Sequence, residues 1–214
     1  MIIISSVNAQ SSHLKYRYLK FNNMRYSQEQ IDTKHQAIIG AASEMFRKHG
    51  FDGVRVADVM NAAGLTHGAF PAHFSSKDEL ALESLKRILA TSLEKIDQAS
   101  LTSESRNAFF ENYLSKKHRD NPGTGCPMVA LSTDINRKNG EIQKAFTTYF
   151  SDLIDKLSNR FFHRRRNPRE QAIANISMMV GALTLARAVG DKNLSNEILH
   201  SARSHIGVNL LKKE

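Results

Sequence analysis

Histidines and the single cysteine are the residues of this 214-residue chain that could most readily bind a metal or catalyse a reaction. The nine histidines include no pair at His-x-x-x-His spacing with a nearby glutamate, which a helical zinc site would need. Serine, histidine and aspartate all occur, but no motif fixes them as a catalytic triad, and the sequence has no glycine-rich phosphate loop. We therefore predict no metal, no cofactor, no catalytic residue and no enzyme activity.

The lone cysteine, Cys126, admits two interpretations. It follows the flexible sequence NPGTG and precedes Pro127, so it stands at a predicted helix start, where the helix dipole favours a thiolate that could sense oxidants or electrophiles. It could equally be a small apolar residue that seats the helix, because free cysteines are usually buried and inert. A single thiol excludes an intrachain disulfide and is typical of a cytoplasmic protein, which is the location we expect.

The stretch GLTHGAFPAHFSSKDEL, residues 64–80, contains almost no side chain that could hydrogen-bond to a ligand. On a wheel at 100° per residue its first helix turns Phe70 and Phe74 inward. The opposite face carries only small side chains, with a histidine at either flank: Gly68, Ala69, Pro71 and Ala72, then His67 and His73. Small residues let a helix backbone approach another surface closely, and Ala and Pro carbons can touch thymine methyl groups in a DNA major groove.

If this face meets DNA, other residues must hold the phosphates. The candidates are Thr66 with the helix N-terminus, Arg55 before the preceding helix, and Lys77 at the start of the next one. Because the small face cannot make bidentate hydrogen bonds to bases, we expect a site rich in A·T pairs that is recognised largely by its shape.

Three short helices position these residues. Helical periodicity starts near Thr33 and ends at Gly50, a second helix runs from about Val56 to Ala63, and a third starts near Thr66. Ser76 with Glu79 is a capping box that opens a long fourth helix. Three short helices with a glycine-containing turn before the third are typical of a helix-turn-helix unit.

The rest of the chain predicts longer helices. One covers about 104–118, a loop follows at 121–125, a helix starts at Pro127, and three more cover 141–163, 169–189 and 194–211. No segment approaches the ~20 apolar residues of a membrane span, so we expect no membrane partner. The fold class is therefore all-α, with an N-terminal helix-turn-helix domain and a C-terminal helical bundle.

The formal net charge of +9 suggests a polyanionic partner. Residues 24–90 carry eight basic and eight acidic side chains, however, so DNA binding would depend on charge placement rather than on the total. Residues 1–23 have basic charges and no acidic ones, and are either a disordered or mis-started tail or a DNA-contacting arm. We divide the chain into an extension (1–32), a DNA-binding domain (33–78) and a ligand-binding and dimerisation domain (79–214).

Residues 33–90 resemble the DNA-binding domain of the tetracycline-repressor (TetR) family of bacterial transcriptional regulators. The similarity is carried by AASEMFRKHGFDGVRVADVMNAAGLTHGAFPAHFSSKDEL, and later by GCPMVALSTDI and MVGALTLARAVGDKNLSNEIL. It implies a ligand-responsive regulator, a repressor, that binds a palindromic DNA operator as a homodimer and has a small-molecule effector. Two departures stand out: Pro71 replaces the usual tyrosine of the recognition helix, and Arg55 replaces a small hydroxyl residue.

Pro71 leaves a second function open. It removes a backbone donor and a phosphate-binding tyrosine, so the chain could instead be a helical, dimeric interaction protein with weakened or lost operator binding.

The resemblance also implies two sites in the C-terminal domain. Aromatic and methionine side chains there serve mainly as core, and the family implies that some of them line an effector pocket: Phe109, Phe110, Tyr113, Cys126, Met128, Phe146, Tyr149 and Phe150. The last two helices carry apolar stripes, which in the family form a four-helix dimer interface: Ile173, Ile176, Val180, Leu183, Leu194, Ile198, Ala202 and Ile206.

Overall fold

A computed structural model describes residues 27–98, 103–138, 140–164 and 166–211, except the side chains of 103–106 and 207–211. These residues form helices and no strand, as predicted. The α-helices are α1 (Gln28–His49), α2 (Val56–Ala62), α3 (Lys77–Asp97), α4 (Ser103–Tyr113), α5 (Lys116–Asp120), α6 (Pro127–Arg137), α7 (Glu141–Phe161), α8 (Pro168–Ala188) and α9 (Lys192–Leu211). Two 3₁₀-helices join them: the recognition helix (His67–Ala72), between α2 and α3, and the connecting helix (Pro122–Thr124), between α5 and α6.

The first helix starts earlier than its periodicity indicates. Ser27 is its N-cap: the Ser27 hydroxyl accepts the Gln30 backbone N–H at 3.2 Å, and the Gln30 side chain accepts the Ser27 N–H at 2.9 Å. This reciprocal pair satisfies two helix-end donors, so residues 28–32 belong to α1 and not to an N-terminal extension. The predicted basic arm, residues 1–23, lies outside the described residues.

The recognition helix is held on the first two helices by a small aromatic core. The Phe46 and Phe51 rings meet edge-on with centroids 5.2 Å apart, and the Phe70 and Phe74 rings stack at 5.6 Å. All four side chains are buried, so the inward direction predicted for Phe70 and Phe74 is observed. The long helix α3 then starts at the predicted Ser76 cap, with the Ser76 hydroxyl accepting the Glu79 N–H at 3.1 Å. The predicted capping box is not the reciprocal pair that α1 has, because the Glu79 carboxylate accepts the Ser75 N–H at 2.6 Å.

The single helix predicted over 104–118 is two helices. Ser115 interrupts it, because its hydroxyl accepts the His118 N–H at 3.1 Å and donates to the Asn112 carbonyl at 2.8 Å. A serine side chain competes in this way with the backbone bonds that would continue a helix. After the break, α5 packs on α8 and the connecting helix packs on α1.

Candidate nucleic-acid interface and internal cavity

The recognition helix has 3₁₀ geometry. Its backbone bonds run three residues back, from Ala69 N–H to the Thr66 carbonyl at 3.1 Å and from His73 N–H to the Phe70 carbonyl at 2.9 Å. An α-helical wheel therefore describes it poorly, although its two phenylalanines still face the core. Pro71 lies inside this helix and is exposed. Thr66 is the N-cap residue by backbone conformation, but its side chain makes no capping hydrogen bond.

The outer face of the recognition helix is small and accessible. His67, Gly68 and Pro71 are exposed, and Ala69 and Ala72 are half-buried. A Cβ placed on Gly68 would meet no described atom within 4 Å, and the Gly68 backbone lies outside the left-handed region. The fold itself therefore does not require glycine at this position, so the missing side chain leaves room for an external surface.

His73 is not on this outer face, contrary to the prediction from the helical wheel. Its side chain is only 9% exposed, and its ring centroid lies 5.9 Å from that of His35 and 6.5 Å from that of Phe74. The tighter 3₁₀ turn rotates residue 73 inward. His67 is thus the one histidine of the recognition segment that stays accessible.

The two predicted phosphate-binding cations stand at the helix starts on either side of the recognition helix in the sequence. Arg55 is exposed and is the N-cap residue of α2, where its guanidinium donates to both carboxylate oxygens of Asp58 at 2.8 and 2.9 Å. Lys77 is the first residue of α3 and is half-buried. A phosphate at Arg55 would have to compete with Asp58, so Lys77 is the stronger candidate.

An internal cavity of about 570 Å³ lies inside the C-terminal domain. Its walls come from the helices α1 and α3 to α8, and from the segment between α5 and α6. Five of the predicted pocket residues line it: Phe109, Tyr113, Cys126, Met128 and Tyr149. This volume is within the range that holds drug-sized ligands.

The other three predicted pocket residues lie elsewhere. Phe110 is 3% exposed and packs in the core against the ring of Phe161, with centroids 5.8 Å apart. Phe146 and Phe150, one turn apart on α7, stack on each other with nearly parallel rings at 6.2 Å. Their α7 neighbours Leu153 and Leu157 line the cavity, because those positions face α3 and α8.

His118 ties the cavity wall together. Its Nε2 accepts the Cys126 backbone N–H at 3.0 Å, which leaves Nδ1 as the protonated nitrogen that donates to the Tyr113 carbonyl at 2.7 Å. Both ring nitrogens are thus used by the neutral imidazole. Burial lowers the pKa of His118, in agreement with this arrangement.

Two protonated groups face each other beside His118. Burial raises the pKa of the Cys126 thiol and raises that of the Tyr113 hydroxyl well above its ordinary value. The structure thus supports the interpretation of Cys126 as a buried residue that seats α6, because burial outweighs the helix-dipole effect. The buried Tyr113 hydroxyl lies next to this thiol but makes no hydrogen bond of ordinary geometry.

Helix α6 connects the cavity with the helix-turn-helix. Its first residues, Pro127 and Met128, line the cavity. Near its other end the Asp134 carboxylate accepts the Phe51 backbone N–H at 2.8 Å, and Lys138 lies 3.4 Å from Asp52. These contacts fasten the loop between α1 and α2 to the C-terminal domain.

The predicted dimer residues divide into two groups. Four are buried inside their own chain: Ile176, Leu183, Ala202 and Ile206. They lie in the interior of their own chain, Ile176 in the cavity wall, so their assignment to a dimer interface is wrong. The other four are exposed or half-buried: Ile173, Val180, Leu194 and Ile198. Leu185, 57% exposed, was missed because it lies off the predicted stripe.

Other site classes find no support in the described ranges. No group of three His, Cys, Asp or Glu side chains there could hold a metal ion. No helix in those ranges is both long enough and apolar enough to cross a membrane.

Similar proteins identify the family of the helix-turn-helix. The family model for bacterial regulatory proteins, tetR family, matches residues 38–83. The transcriptional repressor NemR of Escherichia coli (strain K12) is 21% identical over 188 residues, covering 82% of this chain and 92% of NemR. YerO of Bacillus subtilis (strain 168), an uncharacterized HTH-type transcriptional regulator, is 22% identical over 159 residues; the match covers 70% of this chain and about half, 53%, of YerO.

Solved structures share the fold. The reduced form of E. coli NemR superposes with a TM-score of 0.68 at 21% identity, covering 81% of this chain and 94% of that one. A TetR transcriptional regulator from Chloroflexus aurantiacus J-10-FL gives 0.71 at 18% identity, covering 85% and 96%. The matched helix-turn-helix and the shared fold agree: residues 38–83 carry the DNA-binding domain of the TetR family of bacterial regulatory proteins, and the chain as a whole has the fold of TetR-family transcriptional regulators.

Proposed function

We propose that this protein is a ligand-responsive repressor that binds a palindromic operator as a homodimer. The observation that carries the proposal is the exposed small face of the recognition helix, because Gly68 has open space around it and no structural need to be glycine. A face of this kind fits close contact with a DNA groove. NemR is a repressor, which supports repression rather than activation as the mode of regulation.

The operator is expected to be rich in A·T pairs. Gly68, Pro71 and Ala72 offer only carbon atoms and backbone, which can contact thymine methyl groups but cannot read guanine. Lys77, with Arg55 and Thr66, would position the protein on the phosphates, and His67 is the accessible side chain able to pair with a base. Much of the specificity would then come from the shape of the DNA.

The cavity is the proposed binding site of the effector. Ligand binding between the helices would shift the population of two arrangements of α6, which contacts the helix-turn-helix through Asp134. In a two-fold dimer this changes the spacing of the two recognition helices, which must match half-sites about 34–36 Å apart.

DNA binding is tested by a gel-shift titration of the protein with the DNA upstream of its own gene, at a defined salt concentration. Wild type should retard the fragment, and Ala72→Asp should abolish retardation without unfolding, because it sets a carboxylate against phosphates. Lys77→Ala should weaken specific and non-specific binding alike and reduce the salt slope by roughly one unit. Lys86→Ala, an exposed lysine further along α3, is the matched control.

The interaction-protein alternative depends on Pro71 and is decided by the same titration. Pro71→Tyr should tighten operator binding, because it returns a backbone donor and a phosphate ligand. If the wild-type dimer retards no fragment but the Pro71→Tyr variant does, the natural chain has lost operator binding. A selected operator with a G·C-rich core contacted by this helix would overturn the shape-based account.

A further inference from the structure

The cavity is positively charged and its lining is otherwise mostly apolar. Two of its lining residues, Arg47 and Lys95, are cations, and none of the described residues that line it is a carboxylate. The nearest acidic neighbour of Arg47 along α1, Glu44, is already bound to Lys48 at 2.6 Å. Arg47 is half-buried and Lys95 is exposed, so a ligand that brings a negative charge would meet two cations that no carboxylate of the described lining neutralises.

Arg47 has unused donors. Its Nε donates to the Gly123 carbonyl at 2.5 Å, and within the described part of the chain its two terminal amino groups have no hydrogen-bond partner. The side chain is half-buried in the cavity wall, and its guanidinium remains charged at any physiological pH. A guanidinium edge of this kind matches the two oxygens of a carboxylate.

A second unsatisfied group lines the same cavity. The Tyr113 hydroxyl is buried without an ordinary hydrogen bond, although burying such a group unpaired is costly. The other cavity tyrosine differs, since the Tyr149 hydroxyl shares a hydrogen bond of 3.0 Å with Ser92. Tyr113 is thus a donor beside a sulfur atom, which is a weak acceptor, and an oxygen acceptor on a ligand would satisfy it better.

The remaining walls suit a flat hydrophobic body. Phe109 and Tyr149 contribute aromatic rings, Met128 and Met179 contribute adaptable thioethers, and Ile88 contributes a branched aliphatic side chain. A volume of about 570 Å³ is enough for a ligand of two or three fused or linked rings.

We propose that the effector of this regulator is a compact aromatic carboxylic acid, whose carboxylate binds Arg47 and whose rings lie against the aromatic and methionine wall beside Tyr113. Only the regulatory part of this inference, the release of DNA, rests on the proposed function. Arg47 belongs to α1 of the helix-turn-helix and its Nε holds the Gly123 carbonyl of the connecting helix, so a carboxylate on its terminal amino groups would reposition the guanidinium and disturb this contact. Arg47 would then both recognise the acid and transmit its binding to the DNA-binding domain.

The test is calorimetric titration of the DNA-free protein with 2-naphthoate and with its neutral analogue 2-naphthamide. The wild type should bind naphthoate at least about tenfold more tightly, since one charge-assisted hydrogen-bonded pair distinguishes the two probes. Equal affinities, or no binding of naphthoate, overturn the proposal. Since neither titration contains DNA, the result is independent of whether the protein binds an operator.

Variants assign the preference to a residue. Arg47→Gln should remove the preference for naphthoate, Arg47→Lys should keep part of it, and Tyr113→Phe should weaken naphthoate binding several-fold. Arg169→Gln, which removes the same charge from an exposed ion pair with Asp155, should bind like wild type. If Arg47→Gln keeps the full preference for naphthoate, the assignment to Arg47 is overturned. If Arg47→Gln fails to fold, the ligand class is still tested by Arg47→Lys and by the comparison of the two probes on the wild type.

Discussion

At the scale of single residues, His118 shows how the cavity wall depends on one protonation state. Its neutral ring accepts from the Cys126 N–H and donates to the Tyr113 carbonyl, so the imidazolium could keep only the second bond. Burial lowers its pKa first, and the nearby Arg187 and Lys95 charges lower it further, while the bond to the Tyr113 carbonyl acts in the opposite direction. The fold therefore favours the uncharged form.

Acid should destabilise the protein through this residue. In the unfolded chain His118 titrates near the ordinary value of about 6.5, whereas in the fold its pKa is lower. Between the two values the unfolded state binds more protons, so stability is full above about pH 6.5 and falls as the pH drops below it. Melting temperatures from pH 7.5 to 5.0 should fall more steeply for wild type than for His118→Gln. His67→Gln, an exposed control, should keep the wild-type slope, and equal slopes in all three proteins would contradict the assignment.

At the scale of elements, α6 is the rigid connection between the cavity and the DNA-binding domain. A helix rises about 1.5 Å per residue, so its 11 residues span roughly 16 Å. One end lines the cavity and the other holds the Phe51 N–H through Asp134. A shift of α6 caused by a ligand would thus reach the loop between α1 and α2 directly.

Removing that contact should cost stability. Asp134→Ala leaves the backbone N–H of the buried Phe51 without its acceptor, at a cost of about 1–3 kcal/mol in the free energy of unfolding. Chemical denaturation should show this loss, and Asn136→Ala, an exposed residue on the same helix, should change little. A stability loss no larger than that of Asn136→Ala would mean that the contact between α6 and the α1–α2 loop is dispensable.

Local rules predicted the elements well where they act within a few residues. The Ser76 cap and the Pro127 helix start follow from side chains that satisfy nearby backbone groups, and both are observed. The 3₁₀ geometry of the recognition helix was missed because its length and Pro71 do not separate it from a short α-helix. The break at Ser115 was missed because no glycine or proline marks it.

The cavity was harder to predict than the helices. Periodicity identifies the apolar face of a helix but does not say whether that face meets core or an empty space, as the separation of Phe109 from Phe110 illustrates. Arg47 was assigned no role, since only tertiary packing brings α1 to the cavity. The same limit explains Ile176 and Leu183, which are buried inside their own chain, Ile176 in the cavity wall and Leu183 in the core.

At the scale of the whole molecule, α8 and α9 pack together and present an apolar surface outward. Ile173, Leu185 and Leu194 are 39%, 57% and 45% exposed, which makes them the large apolar side chains most accessible among the described residues. Gly181 lies between Ile173 and Leu185 on α8, and a Cβ on Gly181 would meet no described atom within 4 Å. Such a surface, with room for close helix approach, suits an isologous contact with a second copy.

The dimer is therefore expected to depend on this surface. Sedimentation at micromolar concentration should give about twice the chain mass of 24.0 kDa. Val180→Glu or Ile198→Glu, both at half-buried positions, should shift the protein toward monomer, because each places a charge where two apolar faces meet. DNA binding should weaken in the same variants, since a monomer contacts one half-site. Thr148→Glu, on the exposed side of α7, controls for the added charge and should remain dimeric. A monomeric wild type would exclude the homodimer and, with it, the recognition of a palindromic operator by two linked helix-turn-helix units.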